Sequence, residues 1–473
     1  VSQETVPDTE EPSGRSESST RSGRRRLLAI AGAGAGTVAM AGVVTIVVLL
    51  AGSKPVPDPV AATVPVALSQ LKAPDGMAIG VIVTLGQGRV EGAEWGPASH
   101  GAVVAQHRIA RGGSKVTLLV EDDRGSAEGG AEAVARLAAK GVSGIVVASS
   151  GAHVAAAVSA ASEAGIPLVL PYASIPADAG RLDGVWSMAP GTEQLGSAMK
   201  RALAAYDHPL LLDLGGESRD AVVVADALRA DGRDLGELAD DVARRTGADR
   251  AAHGAYAGGE REGDAPAEDT DGASRVDALV IDGHPQAMAD LVAALEFRKV
   301  SVPIVLGSSA VSPVFTQTLG ERGGAVSSAL RTVGGGAEDS VALGRDASGR
   351  AMSAYLQALR QLADDSKATN LSADAPFADV ASGADVRSHD AVIALVSAAA
   401  KGGGAKPENV RRGLADLKLT AADGVAGADL DFTDAQVVSQ KTRVLHATSQ
   451  QLGLRPDNPE SLTLSWFSEP AGE

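Results

Sequence analysis

The 473-residue sequence contains no cysteine. Disulfides, thiolate metal sites, a cysteine nucleophile and a lipid-modified N-terminal cysteine are therefore excluded, while the redox compartment stays open. Aromatic residues are only 3% of the chain. Ala, Val and Leu must build the core, and each Trp or Tyr becomes a candidate for a specific role. Basic residues are outnumbered, 42 against 59 acidic ones, for a formal net charge of −17. Phosphate recognition needs a basic stripe and none is visible, so no nucleic-acid partner is expected. What remains is length enough for two or three cores and a hydrophobic content of 44%, as in globular proteins.

Charge is missing altogether from Leu27 to Ala51, a run long enough for a helix to cross roughly 30 Å of hydrocarbon. Residues 27–52 are read as a single membrane span. Residues 1–26, rich in Ser, Glu, Thr and Arg and ending in Arg24, Arg25 and Arg26, are expected to be a disordered cytoplasmic tail. Everything beyond the span would be extracytoplasmic, at the cell membrane. A cleaved signal peptide, with Ala51 and Ser53 as its small-residue site, is the competing reading; the length of the apolar run favours an uncleaved anchor. Residues 53–75 carry Pro55, Pro57, Pro59 and Pro65 and read as a stiff stalk.

The stretch from Gly144 to Ile175, GIVVASSGAHVAAAVSAASEAGIPLVLPYASI, reads as strand, loop, helix, strand. Ile145–Ala148 is apolar and β-branched without alternation, as in a parallel strand covered on both faces. Ser149, Ser150 and Gly151 then place small hydroxyl residues where a helix cap belongs, at a strand's carboxyl end that attracts anions. Every βα turn favours such a Ser cap, so a structural role stands beside a binding one. The second strand's carboxyl end, Tyr172, Ala173 and Ser174, is expected beside the first, where open α/β sheets hold ligands.

The same alternation recurs along the chain. Strands are expected at 78–84, 115–120, 209–214, 277–281 and 302–306, and helices at 98–110, 131–140, 194–206, 220–230, 286–298, 350–362 and 388–400. From Ala239 to Arg275 the pattern dissolves, with an acidic disordered loop at about 250–275. This is an α/β architecture with parallel sheets.

Taken together, IGVIVTLGQG, KVTLLVEDDRGSAEGGAEAVARLAAKGVSGIVVASSGAHVAAAVSAASEAGIPLVLPYAS, VWSMAPGTEQLG, VDALVIDGHPQAMADLVAALEFRKVSVPIVLGS, SHDAVIALVSAAA and ADLDFTDAQ resemble, in this order, the type I periplasmic solute-binding proteins. The likeness is to the branched-chain amino-acid branch that serves ABC transporters. The resemblance implies two Rossmann-like lobes joined by three crossovers, with a small ligand between them. Lobe one would be 76–189 and 308–426, lobe two 190–307 and 427–455, with a C-terminal tail at 456–473.

The resemblance also implies site residues. The ligand's carboxylate would lie on Ser149, Ser150 and Gly151, and its ammonium partly on Ala173 or Ser174, beside Tyr172. Trp95, in EWGPASHGA, resembles an aromatic at the cleft mouth, with a core Trp as the alternative. The second lobe departs from the pattern. Gly216–Arg219 replaces a segment whose aromatic covers the ligand, Gln286, just after His284 and Pro285, stands where a carboxylate is usual, and His389 replaces a Tyr. With Arg219, His284 and Gln286 on the far wall and no anion there, a neutral or acidic carboxylate ligand is expected.

No catalytic or cofactor motif emerges. His100, His107 and His153 lack a second ligand at helical spacing, no GxGxxG opens a helix after a strand, and no base is evident for Ser149 or Ser150. The expected function is an extracytoplasmic solute-binding protein, without enzymatic activity or cofactor, that captures an amino acid or related carboxylate or amide for a membrane permease. A sensory or scaffolding ectodomain with a degenerate cleft and a protein partner is the alternative.

Overall fold

The computed structural model describes residues 65–86, 90–175, 183–216, 224–230, 232–248, 276–324, 326, 329–438, 442–450, 452–456 and 464–468. The expected tail, membrane span, most of the stalk, the acidic loop and Arg219 lie outside the described residues. Among those described, no helix is long and apolar enough to cross a membrane.

The first sheet is parallel throughout. Its strands are β1 (Ala78–Val83), β2 (Thr117–Asp122), β3 (Gly144–Ala148), β4 (Leu168–Leu170) and β5 (Val185–Ser187), in the order β2-β1-β3-β4-β5. Helices α1 (Gly101–Arg111), α2 (Ala127–Ala139) and α3 (Val154–Glu163) connect them. All five residues of β3 are buried, as its unbroken apolar pattern requires: Ile145 and Val147 join the core under α2 and α3, whereas Val146 and Ala148 join the core on the opposite face.

The second sheet follows the same logic. Helix α4 (Thr192–Leu203) leads into β6 (Pro209–Leu214), β7 (Asp226–Arg229), α5 (Leu235–Thr246), β8 (Ala278–Gly283), α6 (Pro285–Phe297), β9 (Ile304–Leu306), α7 (Pro313–Glu321) and β10 (Leu330–Gly334). The chain then returns to the first lobe with α8 (Ala347–Asp364), α9 (Val386–Gly402) and α10 (Pro407–Leu414), and with a ribbon of β11 (Lys418–Leu419) and β12 (Leu430–Asp431). It finally adds β13 (Arg443–Thr448) and β14 (Ser465–Ser468) antiparallel to the second sheet, whose order is β14-β13-β10-β9-β8-β6-β7. Three crossovers result; the first falls where expected, near residue 190, and the second and third do not.

Residues 308–334 belong to the second lobe. There β10 pairs with β9 and β13, and Phe315 and Leu319 enter the second core. The free edge of β9 recruits β10, whose Leu330, Thr332 and Val333 are buried. The next crossover therefore follows Gly334 rather than Gly307. Residues 430–437 stay with the first lobe, because Leu430, Phe432 and Val437 pack into its core and Gln436 bridges Ser187 of β5. The segment 456–473 is not only a tail, since β14 pairs with β13 and Trp466 packs near Phe315.

Two element expectations also change. Asp226–Arg229, expected inside a helix, is an edge strand parallel to β6, where ladder hydrogen bonds override the helix propensity of its Ala and Leu. Residues 239–246, expected to lack pattern, lie in α5. Asp234 caps that helix through Gly236 and Glu237 N–H, and Leu238, Ala239, Val242, Ala243 and Thr246 form its buried stripe.

Candidate ligand-binding cleft

The two sheets direct the carboxyl ends of β1, β3, β4, β6 and β8 toward one cavity of about 910 Å³, lined from the first lobe by Glu94, Trp95, Ser150 and Tyr172 and from the second by Gly216 and His284. Strand carboxyl ends at a change of chain direction are where open α/β sheets hold ligands, because unpaired backbone groups and helix N-termini converge there.

A buried carboxylate in this cleft, which the sequence reading did not single out, is contacted from both lobes. Glu94 is 5% exposed. Its Oε1 accepts the Ser150 hydroxyl at 2.6 Å and its Oε2 accepts the Gly92 N–H at 2.8 Å. From the second lobe, His284 Nε2 faces Oε2 at 3.3 Å. Burial pushes the Glu94 carboxyl upward, but the adjacent His284 imidazole and the Ser150 hydroxyl outweigh it and leave the group below its ordinary range. The loop can fold this tightly because residue 92 is glycine: its φ is 94°, and a Cβ there would lie 2.1 Å from Ser149 Oγ. Ser312, from the second lobe, donates to the Glu94 carbonyl at 2.8 Å. The signal for Glu94 was its position immediately before Trp95.

Trp95 stacks on Tyr172, with centroids 4.4 Å apart and planes 3° from parallel. The Arg387 guanidinium lies 5.0 Å from the Trp95 centroid and 4.6 Å from that of Tyr172, a cation–π arrangement. Trp95 is thus both a core residue and part of the cavity wall. Tyr172 bonds the Ser388 hydroxyl at 2.7 Å and donates to the Ala98 carbonyl at 3.2 Å, and its burial raises the phenol well above its ordinary range. Arg387 is held by Asp385 through two contacts of 2.9 Å. Arg455, also on the cavity wall, reaches Asp339 Oδ1 at 2.9 Å and the Ala384 carbonyl at 2.8 Å.

Of the expected site residues, Trp95, Ser150, Tyr172, Ser174 and His284 line the cavity, and Ser149, Gly151, Ala173 and Gln286 do not. Ser149 is fully buried in a polar network below the cleft. Its Oγ meets Thr84 Oγ1 at 2.7 Å and His153 Nε2 at 3.1 Å, while Thr84 donates to Asp123 at 2.7 Å. Gly151 is covered by Glu91, whose carboxyl carbon would lie 2.2 Å from an added Cβ. Ala173 is buried, its carbonyl accepting from Ser187 at 2.8 Å. Gln286 donates its backbone N–H to His284 Nδ1, the cap of α6, at 3.3 Å. Its side chain is not part of the cavity lining.

The structure does bring an imidazole to Ser149, but not in a catalytic arrangement. The same Nε2 also meets Asp123 Oδ2, at 3.2 Å. A proton shared with Asp123 leaves that nitrogen no lone pair for the serine hydroxyl. His389 is likewise structural: fully buried, it bonds Asp390 at 2.7 Å and Arg108 at 3.0 Å.

No family model matches the chain, and no curated protein does. Solved structures do. The chain has the fold of type I periplasmic binding proteins. A type 1 periplasmic binding protein from Bordetella pertussis superposes with a TM-score of 0.55 at 17% identity, over 84% of this chain and all (100%) of that one. The branched-chain amino acid transporter substrate-binding protein LivJ from Streptococcus pneumoniae, in complex with isoleucine, gives 0.53 at 18% identity, over 83% of this chain and 99% of the other. An ABC transporter substrate-binding protein from Desulfitobacterium hafniense, complexed with Leu, gives 0.51 at 15% identity over 83% and 99%.

Proposed function

We propose that the chain is a solute-binding protein that captures a small polar molecule between its lobes and presents it to a membrane permease. The observation that carries this reading is the cavity of about 910 Å³ at the convergent strand ends of two lobes, a size within the usual range for small-molecule sites. The proteins with this fold named above, substrate-binding proteins of transporters with isoleucine or Leu bound, support it. The uncharged run from Leu27 to Ala51 makes anchoring at the cell membrane, with the cleft outside, part of the same proposal. Recovery of a chain beginning at Lys54 from the culture medium would refute the anchor. A thermal-shift screen of the full chain against amino acids, amides, amines and small carboxylates tests the binding function. A solute at about 100 times Kd stabilises the fold by roughly 2.7 kcal/mol.

The alternative, a sensory or scaffolding ectodomain, is favoured by one observation. Ser150, expected to hold the ligand's carboxylate, already holds Glu94. If no solute shifts the melting temperature of wild type or of Glu94 variants, this alternative takes precedence.

A further inference from the structure

We propose that Glu94 is a built-in occupant of the carboxylate subsite, and that the solute taken by the rest of the cleft is a small organic amine without a carboxylate. The inference rests on the solute-binding reading above and specifies its ligand class.

The first support is the geometry of Glu94. Its two oxygens accept from Ser150 Oγ at 2.6 Å and Gly92 N–H at 2.8 Å, with His284 Nε2 of the opposite lobe at 3.3 Å. A solute carboxylate docking on Ser150 would have to expel this side chain, or lie beside a like charge in a desolvated place. Expulsion is opposed on both sides of the residue, by Gly92 packed against Ser149 and by Ser312 holding the Glu94 carbonyl at 2.8 Å.

The second support is independent of Glu94. Among the described residues, the two arginines lining the cavity are already neutralised, Arg387 by Asp385 and Arg455 by Asp339, each through two nitrogen–oxygen contacts. Neither is left over for a solute anion. Two carboxylates on the cavity lining have no Lys or Arg partner within 4.0 Å among the described residues. Glu91 faces only His153 Nδ1 at 3.8 Å, and Glu338 accepts the Gly336 N–H at 3.0 Å. Burial pushes the half-buried Glu338 carboxyl up, moderated by backbone N–H groups and then by Arg387 and Arg443, so an ammonium placed there is favoured by that acid. The far wall offers no carboxylate at Gln286, and Glu338 and Glu91 are each available on the cavity lining to meet an ammonium.

Matched pairs of solutes test this directly. Leucine and 3-methylbutylamine, alanine and ethylamine, and lysine and cadaverine each differ only in the carboxylate. Titration calorimetry on the full wild-type chain is expected to show at least one amine binding tenfold or more tighter than its amino acid. Glu94→Ala should reverse that preference, and millimolar acetate should raise the melting temperature of the variant but not of wild type by refilling the vacated donors. Should Glu94→Ala not fold, Glu94→Asp, which retracts the carboxylate by one methylene, should narrow the preference. Wild type binding an amino acid as tightly as its amine overturns the inference and leaves the solute-binding reading standing. Binding of none of these amines by wild type also overturns the inference, and the solute-binding reading falls with it only if the wider thermal-shift screen is likewise empty.

Discussion

At Gly92 a hydrogen atom decides what the cleft can hold: a methyl group there would collide with Ser149, lift the loop and withdraw Glu94 from Ser150. Gly92→Ala should therefore mimic Glu94→Ala in solute preference while keeping the carboxylate, which competition calorimetry would read. Glu94 also sets an acid limb. Its folded-state pKa lies below the ordinary value of 4.5, so the stabilisation is fully present above that pH and is lost as the pH falls through the folded value. Urea midpoints measured from neutral to acid pH should fall for wild type and fall less for Glu94→Gln. Deeper in the first lobe, Arg108 is 2% exposed and spans the Val66 carbonyl at 3.1 Å and His389 at 3.0 Å, near Asp390, and burial lowers it to about 10. Arg108→Met should cost about 1 to 3 kcal/mol in chemical denaturation by leaving His389 Nε2 and the Val66 carbonyl buried without their donor. At this scale the sequence was only partly legible. Ser150 and Tyr172 follow from their place at strand ends, whereas Glu94 and Arg387 gain meaning only from partners such as His284 and Trp95, far away in the chain.

Elements were more legible than residues, because periodicity is local. The all-buried β3 and the amphipathic α8 are visible as patterns of apolar spacing. What escaped was decided by neighbours: β7 is a strand because β6 offers an edge, and β10 joins the second lobe because β9 does. Helix–helix contact gives a test. The N-terminus of α1 is pressed so closely to the Asp385 carbonyl that a Cβ on Gly101 would lie 1.8 Å from that oxygen. Gly101→Ala must push α1 from the α9 cap, and overpacking of this kind costs about 1 to 3 kcal/mol. Because Asp385 also holds Arg387 against the Trp95–Tyr172 stack, the variant should show both a lower melting temperature and altered tryptophan fluorescence. A lower melting temperature with unchanged fluorescence would show that the helix contact and the aromatic wall are uncoupled.

For the molecule as a whole, the two lobes meet through Glu94. His284→Ala removes the partner at 3.3 Å, so small-angle scattering should report a larger radius of gyration than wild type, with the melting of each lobe little changed. The two-lobed architecture and the first crossover were legible from the order of strands and helices; the second and third crossovers were not, since a short strand such as β10 fits either sheet. Those positions bear on how the protein is made. The inner face of the first sheet is covered by α9, whose Leu395 packs against Gly144 of β3, and the second sheet is completed by β13 and β14. A nascent chain that has reached Gly334 therefore carries most strands of both sheets and the finished surface of neither. A fragment ending there should aggregate where the full chain does not, and refolding should be slow because its decisive contacts close loops of several hundred residues. During synthesis the half-made protein should therefore depend on a holdase chaperone, a dependence set by the order in which its segments emerge.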